Sequence, residues 1–383
     1  MNKFNCLILA ILVASCSSEK KSGDSEAVPF NFSYTIDTLL VDSGDSFLFL
    51  QQNLASSDIS PDGKYLLNFN AKTIEMEIVD LDELKLSEVV PLEQEGPNGI
   101  GTTPYFGDYK ALSKDEFMFA AQNRVIKLDL PTNTATSYSF KREDLDAEAL
   151  APNETLKSRG LLCADGATFY CWYGTEEKPF DNEGLVKIDL VSSEVNVIPI
   201  PQLEKLEEFA IAIEMNDETK MSGKFGESVE LLELEDRIVI LPSAINELWV
   251  LDKSTLEITV KSYESNLISN SKKGNYPRKV DSRQAMQEAM KERSKEVSFF
   301  SLMHDPKRDM IWRISAEFDH MKEETVVKNY FFTFFDMDLN QLGEFQLEDW
   351  EMTGMPFIKD GEYYQFINID DEMAFIRLQP TFD

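Results

Sequence analysis

Apolar and polar residues alternate along most of this chain with the period of two that marks half-buried β-strands, and the alternating runs are short and bounded by turn residues. One pattern recurs, a strand ending near an aspartate: Ile78-Val79-Asp80-Leu81, Lys127-Leu128-Asp129-Leu130, Lys187-Ile188-Asp189-Leu190, Val250-Leu251-Asp252-Lys253 and Phe334-Phe335-Asp336-Met337. A sixth, degenerate copy is Phe375-Ile376-Arg377-Leu378. The first five are each followed by a polar turn and another alternating strand, as in Glu88-Val89-Val90-Pro91-Leu92. All six are preceded by two strands around a turn such as Ser60-Pro61-Asp62-Gly63-Lys64, Ala164-Asp165-Gly166 or Lys359-Asp360-Gly361. Gly, Asn and Asp in these turns tolerate positive φ. The repeating unit is therefore a four-stranded antiparallel meander. Its anchors at 80, 129, 189, 252, 336 and 377 are spaced by 49, 60, 63, 84 and 41 residues, too irregular for a solenoid but suited to propeller blades with loop insertions.

The expected fold class is all-β, a six-bladed β-propeller over 31–383; the alternatives are seven blades, a sandwich of hairpins or two smaller β domains. The sixth copy runs out after its third strand, whereas the chain begins with an unpaired alternating strand, Phe32–Leu40. That strand is predicted to supply the missing edge and close the ring. Two segments interrupt the pattern. Residues 203–225 alternate acids and apolars and read as a short helix or an irregular loop. Residues 281–297 predict a helix inserted between blades four and five, with Asp281 and Gln284 as a capping box and Ala285, Met286, Ala289, Met290 and Val297 as one apolar stripe.

The first fifteen residues differ from all this. Lys3 leads into the apolar run Cys6-Leu7-Ile8-Leu9-Ala10-Ile11-Leu12-Val13, too short for a bilayer span of about 20 residues, and then into small residues. Residues 1–15 read as a signal peptide. Val13-Ala14-Ser15-Cys16 resembles a lipobox, and that resemblance implies cleavage before Cys16 and a lipid on its thiol. Residues 16–30 have almost nothing to bury and read as a flexible tether. The expected location is the cell envelope, lipid-anchored to the outer membrane and facing the periplasm.

The segment Pro91-Leu92-Glu93-Gln94-Glu95-Gly96-Pro97-Asn98-Gly99 resembles the Glu-Gly-Pro-Asn-Gly loop of an uncharacterised Bacteroidetes lipoprotein family with a six-bladed propeller-like domain of unknown function, DUF4221. The resemblance implies the fold and the anchor, and carries no activity. The loop's glycines allow close backbone approach, to a ligand or within a sharp inter-blade crossover.

Charge narrows the partners. Cleavage removes Lys3 and no acid, leaving 36 basic against 69 acidic residues, or −33, which opposes binding to nucleic acid or to anionic lipid headgroups. Against that background the stretch 272–295 is a basic island holding Lys272, Lys273, Arg278, Lys279, Arg283, Lys291, Arg293 and Lys295. It is a candidate site for an anionic ligand, a sugar acid or an acidic partner, or a set of internal ion pairs; Tyr276 and Arg278 are placed to face the propeller mouth. Trp172, with Tyr173, is the expected exposed aromatic pair. The exported setting permits a disulfide between Cys163 and Cys171, but they flank an Asp165-Gly166 turn that sets Cys171 opposite Gly160 and the two thiols on different faces, so buried free thiols are expected, with the disulfide as the alternative.

Catalytic signatures are missing from the sequence: there is no nucleophile elbow and no phosphate loop, and two histidines, His304 and His320, cannot form a three-histidine metal site. Asp336-Met337-Asp338-Leu339-Asn340 starts like a calcium loop, but Gly343 comes too late for one, so no cofactor is identified and calcium is left without support. The sequence points to a lipid-anchored envelope propeller that binds a ligand or protein. The alternative is a carbohydrate- or lactone-directed hydrolase acting at the propeller mouth through carboxylates or a bound metal.

Overall fold

The computed structural model describes residues 30–101, 107–215 and 222–382; the signal peptide, Cys16 and the tether lie outside the described residues. Six four-stranded antiparallel sheets follow one another. Blade 1 is Ser57–Ile59, Tyr65–Asn70, Glu75–Asp80 and Lys85–Pro91; blade 2 is Asp108–Ala111, Glu116–Ala121, Arg124–Asp129 and Thr134–Ser139. Blade 3 is Glu154–Leu162, Thr168–Thr175, Gly184–Asp189 and Val195–Pro199; blade 4 is Val229–Glu233, Arg237–Pro242, Glu247–Asp252 and Ile258–Ser262. Blade 5 is Ser298–Asp305, Met310–Lys322, Thr325–Asp336 and Gln341–Leu347. Blade 6 is Pro356–Lys359, Glu362–Ile369 and Glu372–Phe382, completed by Phe32–Leu40.

Each sheet packs on the next. Phe69 and Phe119 join blades 1 and 2, Phe169 and Cys171 fill the space between 2 and 3, and Tyr170 and Trp249 that between 3 and 4. Phe299 and Phe335 join 4 and 5, Trp312 and Tyr363 join 5 and 6, and Phe375 meets Leu66 where blade 6 returns to blade 1. Six sheets with six interfaces in cyclic order make a closed β-propeller. The first strands of successive sheets are neighbours and run around its axis. Sheets covered on both faces need apolar residues on both sides of their middle strands, which is why 331–335 reads Phe-Phe-Thr-Phe-Phe.

The recurring aspartate has a local cause. At the end of each third strand its carboxylate accepts backbone N–H groups of the following turn: Asp80 from Asp82 and Glu83 at 2.9 Å each, Asp189 from Ser192 at 2.7 Å, and Asp252 from Ser254 and Thr255 at 2.8 Å each. In the sixth copy no such turn follows, because the fourth strand comes from the chain's beginning. Arg377 occupies the position instead and pairs with Asp37 directly across on the closing strand, at 2.6 Å. The predicted closure by Phe32–Leu40 is therefore present, in full register from Phe32 opposite Phe382 to Leu40 opposite Ala374.

The two interruptions meet in space. The described residues of the first interruption, 201–215 and 222–225, hold a 3-10 helix, Pro201–Phe209, and two short strands, Ile211–Glu214 and Ser222–Phe225, rather than a helix or an irregular loop alone. Ile211–Glu214 also pairs in parallel with Lys279–Val280 from the second interruption. This three-stranded sheet and the helix Arg283–Ser294 keep a small core of their own, with Ile211, Ile213, Tyr276, Val280 and Ala289. The helix cap differs from expectation. Ser282, not Asp281, is the N-cap and accepts from Ala285 N, because Val280 is held in the sheet opposite Ile213 and the helix starts after that pairing. Cys163 and Cys171 are free and buried, with Cys171 opposite Gly160; Cys163 packs between blades 3 and 4 and Cys171 between 2 and 3.

Candidate functional site

Residues 95–99 lie in the crossover from blade 1 to blade 2, and the loop closes on itself. Gly99 N donates to Gly96 O at 3.1 Å, Ile100 N to Glu93 O at 2.8 Å and Gly101 N to Gln94 O at 2.9 Å. Gly96 has φ +91°, and a Cβ on Gly99 would lie 2.6 Å from the Gln94 carbonyl oxygen, so both glycines are demanded by the turn. Glu95 and Pro97 are exposed and Asn98 is half-buried.

The basic island is largely engaged with the chain itself. Lys272 Nζ lies 2.8 Å and Arg293 Nη2 2.9 Å from the carboxylate of Glu227, whose side chain is 1% exposed, and Ser243 Oγ donates to it at 2.6 Å. Burial pushes the Glu227 carboxyl up, but the two cations outweigh this and hold it below its ordinary value. Tyr276 is buried and donates to Phe209 O at 2.7 Å, while Arg278 donates to Ala210 O and Glu207 O at 2.8 Å each, capping the end of the 3-10 helix. The backbone N–H groups of Lys273, Gly274 and Asn275 converge on Glu296 at 2.9, 3.0 and 2.8 Å, an anion nest filled by the chain's own carboxylate, and the Lys273 side chain is exposed. Trp172 is not exposed: it is 7% accessible, with Tyr173 also buried, because its strand is second in blade 3 and covered by both neighbouring blades.

A groove of about 800 Å3 opens beside blade 5. Its origin is a difference in strand length. The hairpin of Met310–Lys322 and Thr325–Asp336 is the longest in the protein, and the outer strand Gln341–Leu347 pairs with it only as far as Tyr330. Residues 325–329 thus overhang without a fourth-strand neighbour, and the 346–352 segment forms the facing wall. Along the overhanging strand Lys328 and Tyr330 share a face with Phe332 and Phe334, which pack towards blade 6. Lys328 is half-buried, and its ammonium has no ion pair or hydrogen bond among the described residues. Burial, with the neighbouring charge of Lys272, holds it below the usual lysine range. Across the groove Trp350 is 6% exposed and its indole N–H has no partner. A lysine on an otherwise apolar strand face was the sequence signal that could have drawn attention to this place.

Around the axis, three first-strand acids join neighbouring blades. Asp58 accepts from Ala111 N at 2.9 Å, Asp108 from Leu162 N at 2.8 Å and Glu230 from Ser301 N at 2.7 Å. Burial pushes all three up; Asp108, with Asp58 adding repulsion, reaches about 7. Asp58 nevertheless keeps 24% of its side-chain surface accessible, as expected of a group facing a narrow channel, and Lys110 stands 3.8 Å away. Among the described residues no three His, Cys, Asp or Glu side chains are gathered as a metal-binding group, and no helix is long and apolar enough to cross a membrane.

Comparison with known proteins adds a family. The model of a domain of unknown function, DUF4221, matches residues 29–346. A crystal structure of a DUF4221 member from Bacteroides vulgatus ATCC 8482 is similar over 93% of this chain and 99% of its own, at 16% identity and a TM-score of 0.62. A Bacteroides fragilis NCTC 9343 protein is similar over 93% of this chain and 96% of its own, at 10% identity and a TM-score of 0.48. No curated protein is matched.

Proposed function

The chain belongs to the DUF4221 family, and we propose that it is a lipid-anchored β-propeller of the cell envelope, held by Cys16 at the outer membrane on the periplasmic side, that binds a ligand without transforming it. The observation that carries this reading is the groove beside the overhanging hairpin: a recess of about 800 Å3, within the range of ligand pockets, containing a lysine with no ionic partner in a strongly acidic protein. The basic island serves the fold instead, by joining the two insertions to blade 4. Lipid anchoring is supported by the lipobox-like sequence, and Cys16→Ser should release the protein from the membrane fraction. For the binding site, a photo-crosslinking side chain at Gln346, in the groove wall, should capture an envelope component that the same group at exposed Val191 does not. Equal capture at both positions would count against the groove.

A second reading has one observation in its favour. Asp58 and Asp108 stand on adjacent first strands, and Asp108 stays protonatable near neutral pH, as a general acid requires. If the axis hosts hydrolysis, a carbohydrate and lactone panel should show turnover that Asp108→Asn abolishes.

A further inference from the structure

We infer that the groove beside the overhanging hairpin takes a sugar acid, with the ligand's carboxylate on the Lys328 ammonium and its hydroxyls on the amides and carboxylates around it. This rests on the groove being the ligand site proposed above, and it names the chemistry that site selects.

Three observations converge on this class. The first is Lys328. A half-buried ammonium with no ion pair is costly unless something anionic reaches it, and this one also sits within electrostatic reach of Lys272. The second is the supply of uncommitted hydrogen-bonding groups. The side-chain amides of Asn329 and Gln346 and the carboxylates of Glu348 and Glu351 have no hydrogen-bond or ionic partner among the described residues, and all line the recess. Such groups match the alternating donors and acceptors of a polyol ring. The third is aromatic: half-buried Tyr330 lines the groove on the overhanging strand, while Trp350 in the facing wall is buried and packs on Tyr363. Aromatic side chains with one apolar face and one polar tip suit a ring that is itself apolar on one face and hydroxylated at its edge.

The same surroundings set the charge of the ligand. Asp319, Glu348, Asp349 and Glu351 rim the groove, so a dianionic phosphate or sulfate would meet repulsion from several carboxylates for one attractive pair. A carboxylate carries one charge. A neutral sugar, by contrast, would leave Lys328 buried and unpaired.

The test is isothermal titration calorimetry on the detergent-solubilised full chain with galacturonate, which carries a single carboxylate, the matched neutral sugar galactose and inorganic phosphate. Galacturonate should bind at least about tenfold more tightly than galactose, a difference of about 1.4 kcal/mol, with phosphate undetected. Lys328→Met, similar in length and apolar, should reduce galacturonate to the level of galactose, and Lys328→Arg should keep part of the preference. The inference is overturned if galactose or phosphate binds as well as galacturonate, or if Lys328→Met leaves the preference intact. Should Lys328→Met not fold, the wild-type ratio of acid to neutral sugar decides alone. Neutral-sugar binding that Asn329→Trp abolishes by filling the groove would overturn the acid class while retaining the site. Absence of binding by every probe overturns the class as well, and the crosslinking at Gln346 then judges the groove separately.

Discussion

Glu227 offers a demanding test of how the insertions are held, because one buried carboxylate serves two cations. Replacing it by Gln keeps the shape and an acceptor for Ser243 but removes the charge facing Lys272, 5% exposed at its side chain, and Arg293, 11% exposed. At an effective dielectric constant of about 20, each contact near 2.8 Å corresponds to about 6 kcal/mol of attraction, and desolvation of the three ions offsets much of it. The variant loses the attraction and retains the desolvation of two cations, so the expected cost is about 3–5 kcal/mol. Urea unfolding at pH 7, followed by the fluorescence of buried Trp249 and Trp312, measures it. In a double-mutant cycle, Lys272→Met combined with Glu227→Gln should cost clearly less than the sum of the single changes, by about 1 kcal/mol or more. The pH dependence follows from the same pair. Glu227 is held below its ordinary 4.5, so its contribution is complete above that value and is lost as the pH falls through the lower folded value; the variant should lack this acid sensitivity. A Glu227→Gln protein within about 1 kcal/mol of wild type, or strict additivity in the cycle, would refute the argument.

Other expectations concern the channel, the seam and the thiols. Asp108 is raised from 3.8 to about 7, so between these values the folded state binds more protons than the unfolded one and stability falls as the pH rises. Asp108→Asn, which keeps an acceptor for Leu162 N, should therefore stabilise the protein at pH 8 by about 2–4 kcal/mol and by almost nothing at pH 4 in urea titrations; equal effects at both would contradict the assignment. Deleting 32–40 removes the partner of the whole last strand and uncovers Trp312 and Phe334, and should abolish cooperative unfolding in calorimetry. Cys163 and Cys171 are buried and unbonded, with burial pushing Cys171 up to about 12, so native protein should react with a thiol reagent only on unfolding, and reductant should leave the unfolding midpoint unchanged.

The repeat was legible because its signal is local. Asp80, Asp129, Asp189, Asp252 and Asp336 recur where a carboxylate must satisfy a turn, and Cys163 and Cys171 could be assigned to different faces from one turn and a period of two. What escaped depends on distance. The parallel pairing of Ile213 with Val280 joins segments whose intervening chain builds the whole of blade 4, and nothing in either segment announces the other. Asp281 and Ser282 are both good N-cap residues, and only the strand before them decides between the two. Trp172 was misplaced because an aromatic before a long loop resembles a surface platform, whereas burial there is set by the neighbouring blades. Lys272 and Arg278 gave a real charge signal, but its counterparts, Glu227 and a set of backbone carbonyls, lie far along the chain. Lys328 was hidden among strand residues, since its exposure depends on the outer strand ending early.

The pairing of Phe32–Leu40 with Glu372–Phe382 has a kinetic side. The strand translated before all the others in the ring is also the one whose partner is made after every other strand. Until the chain is almost complete, Phe32 and Tyr34 have no final place to pack, and the loop that must close spans nearly the entire body. Closure of so long a loop is an entropic burden on folding rate more than on stability. Blades 1 to 5 can form in order as they emerge, but sealing the ring waits for the final strand, so a chain halted before residue 372 should expose an open sheet edge that a chaperone or protease can recognise.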